Sequence, residues 1–249
     1  MNEFTKRRAF TNIIVAVILV IGAIASSIIM INGVVKVKSA QTNITVTGSA
    51  KQQITSDLIV WTGNFNAQSA KLQDAYTKLE GSRIKVSDYL LKQGLTKDDI
   101  VFSSITTSMF YVMNEYGNYT NQVDYYMLSQ VVTIKSSEID KITEISRNAT
   151  ELLNEDVAFQ SDPPQYLYTK LADLKVTMLA EATKDARKRA KMIAENAGNN
   201  LGDLKYADMG VMQITPLYSN EIDNYGINDT SSLEKEITAV VHCQFKIDK

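Results

Sequence analysis

The sequence predicts a mixed helix-and-strand protein. An N-terminal transmembrane helix is followed by a domain of antiparallel or mixed sheet with about three helices, one of them long and alanine-ridged. Three observations carry this. A charge-free apolar run lies near the N-terminus. Behind it, runs rich in Ile, Val, Thr and aromatic residues alternate with segments of helical period. Within one such segment Ala182, Ala186, Ala190 and Ala194 recur at every fourth position.

The apolar run comes first in the chain. Lys6, Arg7 and Arg8 precede "AFTNIIVAVILVIGAIASSIIMINGVV", and no charge follows until Lys36. As a helix rising about 1.5 Å per residue, Ile13 to Ile31 spans roughly the 30 Å of a bilayer's hydrocarbon core. The positive flank predicts that residues 1–8 form a cytoplasmic tail, 9–35 a signal anchor in the lipid bilayer, 36–42 a linker, and 43–249 an extracytoplasmic domain. That is a single-pass protein of the cell membrane. A cleaved signal ending at Ala23-Ile24-Ala25 is the competing reading, against which the apolar run continues through "SSIIMINGVV".

Composition narrows the function of the domain. The chain has 249 residues, 45% of them hydrophobic, and a net charge of −2, which describes a folded protein without the basic footprint of a nucleic-acid binder. One cysteine allows no internal disulfide and no zinc site built from repeated cysteines.

Along the domain, "NITVTGS" and "QITSDLIVWTGNF" read as two strands of a hairpin separated by a Gly-Ser turn. A helix follows, with Leu72, Ala75, Tyr76, Leu79, Val86 and Leu90 at helical spacings and Gly94 as its stop. Residues 100–113 and 123–134 form a second predicted hairpin joined through "NEYGNYTNQ". In the next helix Ile139, Ile142, Ile145, Ala149 and Leu152 line one face, with Ser137 and Asp140 in a capping arrangement. A short strand near 157–160 and the Pro163-Pro164 break lead to the long helix, about 168–197, stopped by Gly198. Its alanine face suits close packing, while Lys184, Arg187, Lys188 and Lys191 form a solvated face. The segment 203–214 reads as a strand, and "PLYSNEIDNYGINDTSSLEKE" as a long, mobile hairpin loop.

The last strand holds the chain's one histidine and one cysteine side by side in "AVVHCQFKI". From Ile237 the pattern alternates: Ile237, Ala239, Val241, Cys243, Phe245 and Ile247 face one way, His242 the other. Cys243 is therefore expected in the core, His242 outside it, and the two form no nucleophile–base pair. No phosphate-binding glycine loop occurs, and HExxH needs a second histidine. No catalytic residue, cofactor site or metal site is assigned.

Three stretches resemble the SIMPL-domain family of bacterial cell-envelope proteins, formerly grouped as a domain of unknown function. "ITVTGSAKQQITSDLIVW" resembles its opening strand and the acidic residue before the second strand. "LLKQGLTKDDIVFSSITTSMFY" resembles a helix end, glycine, acidic pair and strand, and "ATKDARKRAKMIAENAGNNLG" the alanine-spaced helix. The chain departs from the pattern at Gly48-Ser49-Ala50, which is less glycine-rich, and at Gln53-Ile54-Thr55-Ser56, which lacks a proline. The resemblance implies an α+β fold, an extracytoplasmic location and self-assembly, and supplies no catalytic residues.

The leading expectation is a non-enzymatic, membrane-anchored domain that forms homo-oligomers or scaffolds envelope partners. Alternatives are an envelope enzyme or stress-protective protein using Asp98, Asp99, Tyr125 and Tyr126, and a small-ligand module. The last would use the aromatic hairpin, whose Tyr111, Tyr116, Tyr119, Tyr125 and Tyr126 make a candidate ligand or partner surface.

Overall fold

Side-chain alternation builds most of this protein, and where it runs longest the strands are longest. The structure, a computed structural model, describes residues 17–32 and 43–248. Residues 17–32 form helix α1, exposed along its length. Among the described residues no helix is long and apolar enough to cross a membrane. The anchor expected over 9–35 runs past α1 at both ends into residues outside the described set, as do the tail 1–8 and the linker 36–42.

The remaining chain divides into two compact units. The larger, Ser49–Ala182 with Gly210–Val240, contains a sheet ordered β3 (Ile100–Phe102), β5 (Tyr119–Ser136), β2 (Leu58–Ser69), β6 (Ala158–Ser161). Strand β4 (Thr106–Met113) also pairs with β5, and β7 (Gln165–Leu167) with β2. Every one of these pairings is antiparallel. Helices α2 (Leu72–Lys92) and α3 (Ile139–Asn148), and a 3-10 turn over Ala149–Glu155, pack on this sheet.

The core explains the sequence spacing. Ala75, Leu79, Val86 and Leu90 of α2 and Ile142 and Ile145 of α3 are buried with Trp61, Phe65, Val132 and Ile134 of the sheet. Each large apolar side chain so withdrawn from water contributes about 1.5–3 kcal/mol. Gly94 ends the α2 region at φ +81° and Gly198 ends the long helix region at φ +75°, a conformation that costs glycine nothing.

The smaller unit comprises, of the described residues, those up to Gly48, Thr183–Met209 and residues 241–248. It takes in parts of β1 (Asn43–Thr55), the long helix α4 (Leu171–Asn196) and β10 (Glu234–Asp248), and all of β8 (Asn200–Met209). The strand order is β1-β10-β8. What this unit buries is the alanine ridge, Ala186, Ala190 and Ala194, and one strand face, Val46, Val241, Cys243 and Phe245. A helix face and a sheet face are the two apolar surfaces of such a layer, and methyl-sized side chains let the backbones approach closely. Lys184, Arg187, Lys188 and Lys191 are exposed, as expected.

Several expectations need correction. β1 and β2 are not a hairpin: β1 runs straight through Gly48-Ser49, pairs with β10, and lies in a different sheet from β2. The inward positions Val46, Gly48 and Ile54 keep one parity, so the glycine fills an inward site of a continuous strand rather than a turn. Leu72 and Tyr76 lie on the exposed side of α2. Ser137 does not cap α3; Glu138 holds that position, without a side-chain bond. The segment after Pro163-Pro164 makes β7 before α4 begins, and 203–214 contains two strands, β8 and β9 (Gln213–Pro216), the latter paired with β10.

Candidate functional site

Two features of the larger unit stand out, an aromatic ribbon and a pocket walled by a buried lysine. The ribbon arises because β5 is longer than its neighbour. β2 follows β5 as far as the pair Ser69↔Tyr126; from Tyr125 back to Tyr119, β5 pairs with β4 alone. Its turn is built by Asn114, whose Oδ1 accepts from the backbone N–H groups of Tyr116 and Asn118, and by Gly117 at φ +76°.

The five tyrosines of the expected surface do not form one patch. Tyr125 stacks on its cross-strand partner Phe110, with ring centroids 4.6 Å apart and an interplanar angle of 8°. Tyr111 donates from its hydroxyl to the sulfur of Met109, 3.9 Å away and two residues back, so these two share the opposite face. Tyr116 lies in the turn and Tyr119 at the start of β5, both exposed. Tyr126 packs instead against the edge of the core. With Met113 also exposed, the ribbon shows apolar and aromatic side chains on both faces.

The acidic candidates sit elsewhere. Asp99 closes a capping box with Thr96, accepting from its N–H at 2.8 Å and its hydroxyl at 2.7 Å, which holds the Asp99 carboxyl below its ordinary pKa. Ile100, next along, pairs with Ile134, eight residues from Tyr126 on β5. At about 3.4 Å per residue that is roughly 27 Å, so Asp98 and Asp99 do not join Tyr125 and Tyr126 in one site.

Strand β10 confirms the expected alternation. Ile237, Ala239, Val241, Cys243 and Phe245 are buried, and His242 is exposed with its Nδ1 3.0 Å from Thr47 Oγ1. Burial pushes the Cys243 thiol pKa up. The strand starts earlier than the sequence suggested, however, and the same parity carries Lys235 into the interior, only 2% exposed. Its ammonium donates to the carbonyl oxygens of Tyr166 at 2.6 Å and Asp229 at 2.5 Å.

Lys235 thereby ties down the long loop before β10. Asp229, in that loop, accepts from Ser231 N, Ser231 Oγ and Ser232 N; burial pushes its pKa up, but these bonds and the nearby lysine outweigh it and the net shift is downward. Gln213 holds the loop from the other side, donating to Asp223 O and accepting from Ile227 N. Tyr166, Asp229 and Lys235 wall a pocket of about 260 Å³ together with Ile54, Leu58 and Leu171. A second cleft, of about 400 Å³, lies by Gln68, Lys78, Lys85 and Asp156. There both amines are engaged by backbone carbonyls, of Gln68 and Glu155. The buried lysine was legible only as the residue that continues the parity of Ile237 and Ala239 two positions back.

Antiparallel sheets together with α-helices define an α+β protein. The chain belongs to the SIMPL family, described as a protein of unknown function (DUF541), whose family model matches residues 44–245. No curated protein matches the chain.

Proposed function

We propose that this SIMPL protein is a non-enzymatic, membrane-anchored extracytoplasmic domain that self-assembles, with the β4–β5 ribbon as its contact between copies. The observation that carries this is the ribbon itself: beyond the end of β2, the edge of β5 that faces away from β4, from Tyr119 to Tyr125, has no strand partner among the described residues, and Met109, Phe110, Tyr111 and Met113 of β4 are exposed. Unpaired edges recruit another strand, and apolar surface around an edge favours it further. A second copy is the occupant chosen, because an identical edge can pair antiparallel with itself about a two-fold axis, giving a closed contact.

The anchor, residues 9–35, rests on Lys6-Arg7-Arg8 and the apolar run behind them. Tethering copies to one membrane raises their effective concentration, so a weak edge contact suffices. Analytical ultracentrifugation of the full chain in mild detergent tests the reading. A discrete multimer that dissociates on Phe110→Ser with Tyr125→Ser is the expected result; a monomer at all concentrations, or a multimer indifferent to both changes, overturns it.

A further inference from the structure

We propose that the pocket walled by Lys235 is a binding site for a small monocarboxylate with a short alkyl chain, its carboxylate received by the Lys235 ammonium. This site is separate from the aromatic ribbon and does not depend on self-assembly.

The argument begins with charge. An ammonium withdrawn from water is costly unless its charge is paired. Lys235 makes no ion pair among the described residues; its two acceptors are neutral carbonyls. Of its three donors, the third has no acceptor among the described residues. Asp229 is the nearby opposite charge, but its carboxylate is turned to Ser231 and Ser232. The lysine is thus held in place by two bonds with one donor left over and with no carboxylate bonded to it.

The pocket is walled by this lysine and by the residues that hold it. Both residues whose carbonyls hold the ammonium, Tyr166 and Asp229, line the same pocket as Lys235. The rest of the lining is largely aliphatic, with Ile54, Leu58, Leu167, Leu171 and Ile214, which selects an apolar body. Thr169 and Asn228, also in the lining, are exposed, so the pocket reaches the surface. A volume of about 260 Å³ is roughly nine times the share of one liquid water, which suits a molecule of about that many non-hydrogen atoms.

A carboxylate is favoured over an alcohol because a charge-assisted bond to an ion is roughly twice as strong as a neutral one. A bound carboxylate would also give the desolvated ammonium a directly bonded counter-charge, which Asp229, its carboxylate turned to Ser231 and Ser232, does not supply. Burial pushes the Lys235 pKa down and Asp229 opposes this only in part, so a bound anion would hold the ammonium charged.

The test is calorimetric titration of hexanoate, 1-hexanol and hexylamine into the full chain in lipid nanodiscs, with empty nanodiscs as the blank. Saturable binding of one hexanoate per chain is expected, at least tenfold tighter than 1-hexanol and hexylamine. Lys235→Met should weaken hexanoate at least tenfold. Leu171→Trp, which fills the pocket from the first turn of α4 and leaves the lysine and its bonds in place, should abolish it with the circular dichroism unchanged. Absence of hexanoate binding, equal binding of 1-hexanol, or full binding by either variant overturns the proposal. If Lys235→Met does not fold, the Leu171→Trp variant and the three-ligand comparison decide it.

Discussion

Gly63 on β2 lies directly against the ring of Phe159 on β6: a Cβ at residue 63 would stand 2.1 Å from Phe159 Cζ. No real Cβ contact is that short, so the missing side chain is what lets this aromatic ring sit on the sheet, where it also meets Trp61 at a centroid distance of 6.2 Å. Gly63→Ala should therefore destabilise the larger unit by about 1–3 kcal/mol, the range of an overpacked core. Thermal unfolding monitored by circular dichroism measures it. Because the clash is with the ring alone, Phe159→Leu combined with Gly63→Ala should recover part of the loss; a purely additive double variant would contradict this account.

Asp57 supplies a second prediction, on pH. Its carboxylate accepts from Thr169 N and Thr169 Oγ1, both at 2.7 Å, and so fixes the segment leading into α4. Burial pushes its pKa up, but the Thr169 bonds and Lys170 outweigh it and leave it below the usual carboxylate value. A depressed folded pKa stabilises the protein above the unfolded value, about 3.9, and that contribution is lost as pH falls through the folded pKa. Stability should decline below about pH 4, and Asp57→Asn should flatten that part of the profile while costing about 1 kcal/mol at neutral pH. An unchanged acid limb in the variant would show that other carboxylates carry the effect.

Asp57 also shows where the sequence could be read and where it could not. Its place before β2 was visible in the opening stretch, but its partner Thr169 lies more than a hundred positions on, and nothing local announces that pairing. Parity and helical period were enough for β10, α2 and the alanine ridge, because burial on one face imposes a repeat. They failed for β1 and β2, which follow one another like hairpin strands but pair with β10 and β5. The candidate site suffered likewise. The ribbon's tyrosines were legible as composition, whereas the pocket depends on β7, β10 and a loop meeting at Lys235, a residue that the sequence pattern leaves in the loop before the strand.

Cys243 gives a kinetic prediction. It faces inward between Val241 and Phe245 with no exposed surface, and burial raises its thiol pKa, so little thiolate forms at neutral pH and reagents cannot reach it. A polar maleimide should label the folded protein slowly and the unfolded protein at once. Cys243→Ala removes a small buried group and should cost about 1 kcal/mol without altering any binding. Rapid native labelling would mean that this strand opens or that its register is wrong.

The last prediction concerns topology and rests on the first forty residues. Lys6, Arg7 and Arg8 lie on one side of the apolar run, and the positive-inside tendency keeps such a cluster in the cytoplasm. If residues 9–35 remain as an anchor, protease added to spheroplasts should degrade the domain, and the protein should stay with membranes in high salt, which strips electrostatically bound proteins but not a spanning helix. Reversing the flank, with Lys6→Glu, Arg7→Glu and Arg8→Glu, should lower the correctly oriented fraction, since the remaining bias comes only from Lys36 and Lys38 on the far side. A mature chain beginning near residue 26 and released from membranes would instead establish cleavage after Ala25. The self-assembly reading would then lose its tether, and the ribbon contact would have to be strong enough to hold copies together in free solution.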